Sequence, residues 1–502
     1  MIGLILSIVA TIVVGGYVFI TWNHNHWKKR NFPGPEPRFF LGNIPSMVTQ
    51  KRNMTYDVDD LYREFKDRHG IIGFFSMRSP SLMILQPDVA KDVLVKNFKH
   101  FSTNQFTDMM DKETDPIFAR NPFMLRGDEW KEKRAEITPA FTSTRIKTMY
   151  PIIDDVCAIM IKYLERECEK APVDGIDAKE LAAMYTTDVV SNCIFGLDAG
   201  SFTGGDATIR KMGKKLMEPN WQIMLYFMAV QMLPFLMKIY KMAFVPKYIE
   251  KFFVQIMKNA IAFREKSNVD RFDYLHYLLE LKEKKNLNEL DMVAHAVTFF
   301  LDGFETSSIA MAFTLYELAG HKNAQNKLRK EIQDTIASHG KLTFDIVSEM
   351  PYLDQVLNES LRLYPPATTS AKVCTERIQF KVKEGEYRTI EKDDNIAIPI
   401  YCFHRDPEFY ENPNEFIPER FDQENGGVKA FREKGVFLPF SDGPRICLGQ
   451  RFAQTQLKAA IVSLIRDFEI DVNPKTKEPI VLDPKQFLAY AEGGLWLNFK
   501  KL

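Results

Sequence analysis

The chain has 502 residues, 45% hydrophobic and 12% aromatic, and its 66 basic side chains are balanced by 66 acidic ones. That apolar content excludes disorder as the main state, and a formal net charge of zero without long runs of one sign excludes nucleic-acid wrapping as the primary role. Cys157, Cys168, Cys193, Cys374, Cys402 and Cys447 show no CxxC and no short regular spacing, which argues against a disulfide framework or zinc ribbon and suits a reducing compartment.

Met1 to Trp22 carries no charged side chain and as a helix would span about 33 Å, enough to cross a hydrocarbon core of about 30 Å. A cleaved signal peptide is the rival reading, but no basic residue precedes the apolar run and Lys28-Lys29-Arg30 follow it. That basic cluster predicts an uncleaved anchor with everything after residue 30 on the cytoplasmic side. Pro33, Pro35 and Pro37 then predict a stiff, extended, hinge-like arm. A length of about 150 residues per domain would allow roughly three domains. The continuous pattern instead predicts one catalytic unit over 46–502, behind an anchor at 1–22 and a basic, proline-rich hinge at 23–45.

Strands are expected at Ile71 to Met77 and Ser81 to Leu85, and helical periodicity dominates from about 128 to 370. The 223–244 stretch reads either as apolar core helices or as a surface that dips into a monolayer. The clearest helix starts near Asn288, with Glu289 and Asp291 in its first turn, and stops at Gly320, roughly 48 Å later. Ser348 and Glu349 are expected to open another helix that Pro365 ends, and Ile396 to Tyr401 reads as a buried strand. The fold class is therefore mostly α with small β-sheets.

The sharpest chemical signal is Phe440-Ser441-Asp442-Gly443-Pro444-Arg445-Ile446-Cys447-Leu448-Gly449, a turn-rich loop that opens a helix at Gln450. Glycines permit close backbone approach, and a thiol near a helix start with an arginine in reach is suited to act as an anionic metal ligand. Taken alone, Cys447 could equally be a small buried hydrophobe.

Phe440, Gly443, Arg445, Cys447 and Gly449 match the haem-binding loop FxxGxRxCxG of the cytochrome P450 family, and the resemblance covers nearly the whole chain. Glu359-Ser360-Leu361-Arg362 resembles that family's ExxR motif, Pro418-Glu419-Arg420-Phe421 its PERF box, and Trp130 to Arg134 its WxxxR motif. The anchor and overall wording resemble the microsomal, insect-like branch. The resemblance implies haem b with Cys447 on the iron, and propionate contacts from Trp130, Arg134, Arg445 and Lys372. Lys372 stands where the family commonly has arginine, a point charge in place of a fork. Phe440 and Gly449 belong to the same cofactor-binding loop.

Leu301-Asp302-Gly303-Phe304-Glu305-Thr306-Ser307 resembles the family motif (A/G)Gx(D/E)T(T/S). It implies room for dioxygen at Gly303, a hydrogen bond from Thr306 and proton relay by Glu305. Without that context the same residues read as a solvated helix face with Thr306 bonded back to a carbonyl. Asp302 departs from the motif. It would approach the haem edge or oxygen site as a proton donor or as an ester partner, or else bond a neighbouring side chain.

The resemblance further implies a monooxygenase in the endoplasmic reticulum membrane that hydroxylates or epoxidises small hydrophobic molecules in xenobiotic, hormone or lipid metabolism. Since the chain lacks a GxGxxG fingerprint, NADPH electrons must come through a partner, NADPH-cytochrome P450 reductase, with cytochrome b5 as a second candidate. Lys131, Lys133, Lys429, Arg432, Lys434, Arg451 and Lys458 offer local positive charge for such docking. Phe101 to Phe118, 196–225, Phe299, Ala367 to Ser370 and Tyr490 to Leu495 are expected to line the substrate pocket. The alternatives are a membrane-tethered haem sensor and a reductase-independent isomerase on the same fold.

Overall fold

The computed structural model describes residues 1–502 except 171–172, 204–207, 219, 268–270 and 384. Helix α1 (Ile2–Thr21) has a mean hydropathy of 2.4 and buries none of its residues, so most of its apolar surface is left uncovered. The arm behind it is docked. Trp27 is buried with its ring against Gly73, where a Cβ would clash, and its indole N–H donates to the Phe74 carbonyl at 3.0 Å. Arg30 grips Asp394 through two bonds of 2.7 and 2.8 Å.

Strands β1 (Ile71–Ser76) and β2 (Ser79–Ile84) form an antiparallel hairpin whose turn starts at Met77 with φ of 53°. Its second strand begins earlier than the sequence suggested, because Ser79 and Pro80 pair with Ser76 and Phe75. Helix α2 (Gly127–Ile137) carries Trp130 and Arg134. Helix α3 (Ala178–Phe195) is capped by Asp177, ends at Gly196 in the left-handed region and is buried along most of its length.

Helix α4 (Glu289–Gly320) is capped by the Asn288 side chain on the Asp291 N–H, as the sequence predicts, and packs most extensively against α3. The next region corrects two expectations. Ser348 and Glu349 close a short helix, Phe344–Glu349, and Pro351 opens α5 (Pro351–Leu363), since proline at the first helical position lacks only an N–H that would be unpaired there. The expected strand to Tyr401 stops at Ile398, and Ile400–His404 is a helical turn.

Strands β3 (Ser370–Val373) and β4 (Asn395–Ile398) complete a four-stranded sheet in the order β1-β2-β4-β3, with β2 and β4 parallel. Helix α6 (Gln450–Asp467) follows the cysteine loop and packs on α4. One large apolar core holds α3, α4, α5 and α6, and a smaller one lies under the sheet.

Candidate active site

The cysteine loop is built by hydrogen bonds and one forced glycine. The Cys447 N–H donates to the Phe440 carbonyl at 2.9 Å, closing the loop, while the half-buried Phe440 ring packs on the main core. Gly443 has φ of +72°, and a Cβ there would sit 2.0 Å from the Leu94 carbonyl oxygen, so only glycine passes. Gly449 caps α6 with an ordinary φ of −79° and open space beside it. Neither strain nor packing within the chain demands glycine at that place. Its missing side chain leaves room for a bound group.

Cys447 has accessible surface, yet burial pushes its thiol up to about 11, against the opposing backbone N–H groups of Gly449 and Gln450 at the start of α6. Asp302 likewise has accessible surface, while burial pushes its carboxyl up to about 6. Its charge also raises the Cys447 thiol. Both have accessible surface and the charge of Asp302 reaches Cys447, so the two groups face one shared recess between α4 and the cysteine loop, the chamber.

Three cations gather beside that thiol. Burial pushes Lys372 down to about 8, with Arg445 as the further cause, and pushes Arg445 down to about 10, with Arg134 as the further cause. Arg134 is lowered by burial and raised by Cys447. No ion pair among the described residues includes any of the three. Arg134 donates to the Ile446 carbonyl at 2.7 Å, and Arg445 stacks 4.5 Å above the Trp130 ring with its Nε unpartnered. Buried like charges without counter-anions are costly, so the cluster is preorganised for an anionic group. Trp130 lies buried under Arg445, and Arg134 lies against the cysteine loop.

Behind the loop lies a buried ion network. Glu359 and Arg362 are both fully buried. Arg362 donates to Glu359 at 2.7 and 2.8 Å and to the His404, Pro413 and Glu415 carbonyls at 2.7 to 3.0 Å, which uses all five guanidinium donors. Arg420 adds a bond of 3.1 Å to Glu359, joining ExxR to PERF. His404 carries the network to the loop: its Nε2 accepts from the Leu438 N–H at 2.8 Å, which leaves Nδ1 to donate to the Arg362 carbonyl at 3.1 Å.

With the loop, its cations and its supporting network placed, the comparisons identify the chain. A family model of cytochrome P450 matches residues 32–497. The chain belongs to the cytochrome P450 family. Among its relatives, Probable cytochrome P450 28a5 of Drosophila melanogaster is 41% identical over 99% of both chains, and Probable cytochrome P450 28d1 of the same fly is 40% identical over 98% of both. Cytochrome P450 6k1 of Blattella germanica is 32% identical over 99% of this chain and 97% of its own. Cytochrome P450s are haem monooxygenases whose iron is held by a cysteine thiolate. The donor set fits that group: one thiol, an adjoining cluster of unpaired cations and an open glycine.

The P450 motif on α4 is split by the structure. The Thr306 hydroxyl donates to the Asp302 carbonyl at 2.7 Å, and Asp302 itself faces the chamber. Glu305 turns to the other side, is nearly buried and meets Lys179 of α3 at 2.9 Å. This acid opens on a second cavity of about 310 Å³ lined by Asp177, Lys179, Arg210, Tyr490 and others. A Cβ on Gly303 would meet Val190 of α3 and Phe299 at ordinary contact distance.

Other expectations are corrected as well. Phe299 packs among Phe141, Tyr274 and Phe452, and Phe101 is buried against Phe380, so both are core. Tyr490, Ala491 and Gly493 to Leu495 do line a cavity, the one on which Glu305 opens. Of the 196–225 segment, residues 204–207 and 219 lie outside the described residues. Within the expected basic face, Lys133 is tied to Glu136 and Asp291, and Lys458 is buried against Asp354 and the Ser348 carbonyl. Lys429, Lys434 and Arg451 remain exposed. The sequence reading missed Lys179 and His404, because each acts through a partner more than thirty residues away and no local spacing marks such a pair.

Proposed function

We propose that the chain is a membrane-anchored monooxygenase that receives NADPH electrons from cytochrome P450 reductase, with cytochrome b5 as an accessory donor, and oxidises small apolar molecules. The observation that carries this reading is the joint placement of Cys447 and the unpaired cations Lys372, Arg445 and Arg134 beside one chamber. Cys447 holds the iron, and Trp130, Arg134, Arg445 and Lys372 hold the propionates. Phe440 and Gly449 shape the loop around the bound group. When bound, haem supplies the oxygen-activating chemistry, assisted by electron donation from the thiolate.

Thr306 and Glu305 serve proton delivery in this proposal. The Thr306 hydroxyl is oriented by its bond to the Asp302 carbonyl and keeps its lone pairs for an acceptor role in the chamber. Glu305, paired to Lys179, carries protons inward from the second cavity. The anchor, α1 with its following basic cluster, places the catalytic unit 46–502 on the cytoplasmic face of the endoplasmic reticulum, with 23–45 setting its angle. The exposed Lys429, Lys434 and Arg451 form the electron-donor face.

The test is spectroscopic. The carbon-monoxide difference spectrum of the reduced protein is expected to carry the thiolate signature and to lose it in Cys447→Ser. NADPH consumption should then require added reductase. A thiolate spectrum without reductase-dependent turnover would favour the sensor or isomerase reading.

A further inference from the structure

Helix α2 carries Trp130 and Arg134, yet it has almost no apolar face with which to hold its own position. Of its 11 residues only Trp130, Glu136 and Ile137 are buried, and one of those is an acid. At about 3.6 residues per turn, Lys133 and Glu136 lie roughly 100° and 160° round the axis from Arg134, on the flank turned away from it. That flank is bonded to the start of α4. The Lys133 ammonium donates to Glu136 on its own helix at 3.0 Å and to Asp291 on α4 at 3.1 Å. Nε2 of His295, one turn after Asp291, meets the same Glu136 oxygen at 3.4 Å, and Arg120 pairs with the other oxygen of Asp291 at 3.2 Å. The side chains of His295 and Glu136 are only 1% and 4% exposed, and those of Lys133 and Asp291 15% each, so water screens little of this network. Burial would raise the Glu136 carboxyl, but the bonds from His295 and Lys133 outweigh it and hold the group below the ordinary carboxylate range.

Among the described residues only Lys133 is bonded to both acids, which makes it the joint between the two helices. Without it Glu136 would still face His295 and Asp291 would still face Arg120, so neither acid would be left as an unpaired buried charge. What would be lost is the hold on α2. Resting on the monooxygenase reading above, we propose that Lys133 is a positioning residue for the cofactor: by joining α2 to α4 through Glu136 and Asp291, it fixes the rotation of α2 that presents Trp130 and Arg134 to the bound group. A helix held mainly by ionic bonds turns more freely when their joint is removed. Trp130 and Arg134 then meet the bound group for less of the time, and it leaves sooner.

The test loads the full chain with haem and follows its transfer to excess apomyoglobin, a rate that requires no turnover. Lys133→Met is expected to release haem at least about tenfold faster than the wild type. Lys133→Arg is expected to stay close to the wild type, because a guanidinium also bonds two carboxylates. In an Arg134→Gln background the Lys133→Met change is expected to add no more than about twofold, since residues that act through one contact are not additive. Asp291→Asn cuts the α4 end of the joint while Lys133 keeps Glu136, so it should speed release as well, and it decides the question if Lys133→Met does not fold. Wild-type haem retention in folded Lys133→Met or Asp291→Asn would overturn the inference and leave the monooxygenase reading standing. An undiminished Lys133→Met effect in the Arg134→Gln background would overturn it too, because Lys133 would then act elsewhere. Wild-type protein that takes up haem without the thiolate spectrum would instead overturn the reading on which the inference rests.

Discussion

Arg362 shows how much a single side chain organises. Each of its five donors is used: two bonds stay within the ExxR turn, to Glu359, and three reach carbonyls that only the tertiary fold brings near it. Lysine cannot reproduce that fork, since three donors on one nitrogen cannot meet acceptors lying in a plane around a guanidinium. Arg362→Ala is expected to destabilise the fold by about 3–5 kcal/mol, because Glu359 would be left as a buried charge answered only by Arg420 and one backbone N–H. Arg362→Lys should fall closer to alanine than to wild type. Urea unfolding followed by circular dichroism measures both. The i, i+3 spacing made the pair legible, but whether it was buried or on the surface was not, since spacing says which residues share a helix face and not what covers that face.

At the scale of elements, His404 couples α5 to the cysteine loop, and its titration gives a pH test. Burial, with the Arg362 charge as the next cause, pushes its imidazole down to about 3. In the unfolded chain the ring takes up a proton below about 6.5, whereas the folded chain does not until about 3. The contribution of His404 is therefore complete above pH 6.5 and is lost as the pH falls toward 3, with a slope of up to about 1.4 kcal/mol per pH unit. Unfolding midpoints measured from pH 7.5 to 4.5 should decline for the wild type, and the profile of His404→Asn should be flatter across that window.

Helix α4 teaches a related lesson. Its length and cap were legible from Asn288 to Gly320. The parting of Glu305 from Thr306 was not, because it follows from what lies on each side: Lys179 on one and the chamber on the other. Three successive carbonyls of this helix also accept side-chain bonds, from Thr306 at 2.7 Å, Gln456 at 3.4 Å and Thr186 at 2.9 Å. Those bonds tie α3 and α6 to the turn that carries the candidate proton relay.

For the whole molecule, the uncovered apolar surface extends beyond α1. Tyr17 stacks on Phe39 with ring centroids 5.7 Å apart, and Arg78 covers Phe19 while bonding the Met232 carbonyl. Trp221, Leu225, Phe235, Ile239 and Tyr240 are exposed apolar side chains in the region reached by that contact. Exposed apolar groups on that scale mark an interaction surface. Removal of residues 1–22 is expected to leave the core intact, since α1 buries nothing. The shortened chain should still sediment with membranes in high salt but be released by alkaline carbonate, whereas the full chain resists both. Fractionation and immunoblotting decide this, and a fully soluble shortened chain would assign all membrane affinity to α1.

The sequence by itself determined the family, the cysteine loop, the short motifs and the apolar N-terminal helix, because each is written in residues close along the chain whose chemistry depends on local spacing. Only the tertiary structure decided that Glu305 pairs with Lys179 and that Lys133 and Lys458 are withdrawn from the basic face. Those outcomes depend on desolvation and on partners from distant segments. Neither is a property of the segment in which the residue stands.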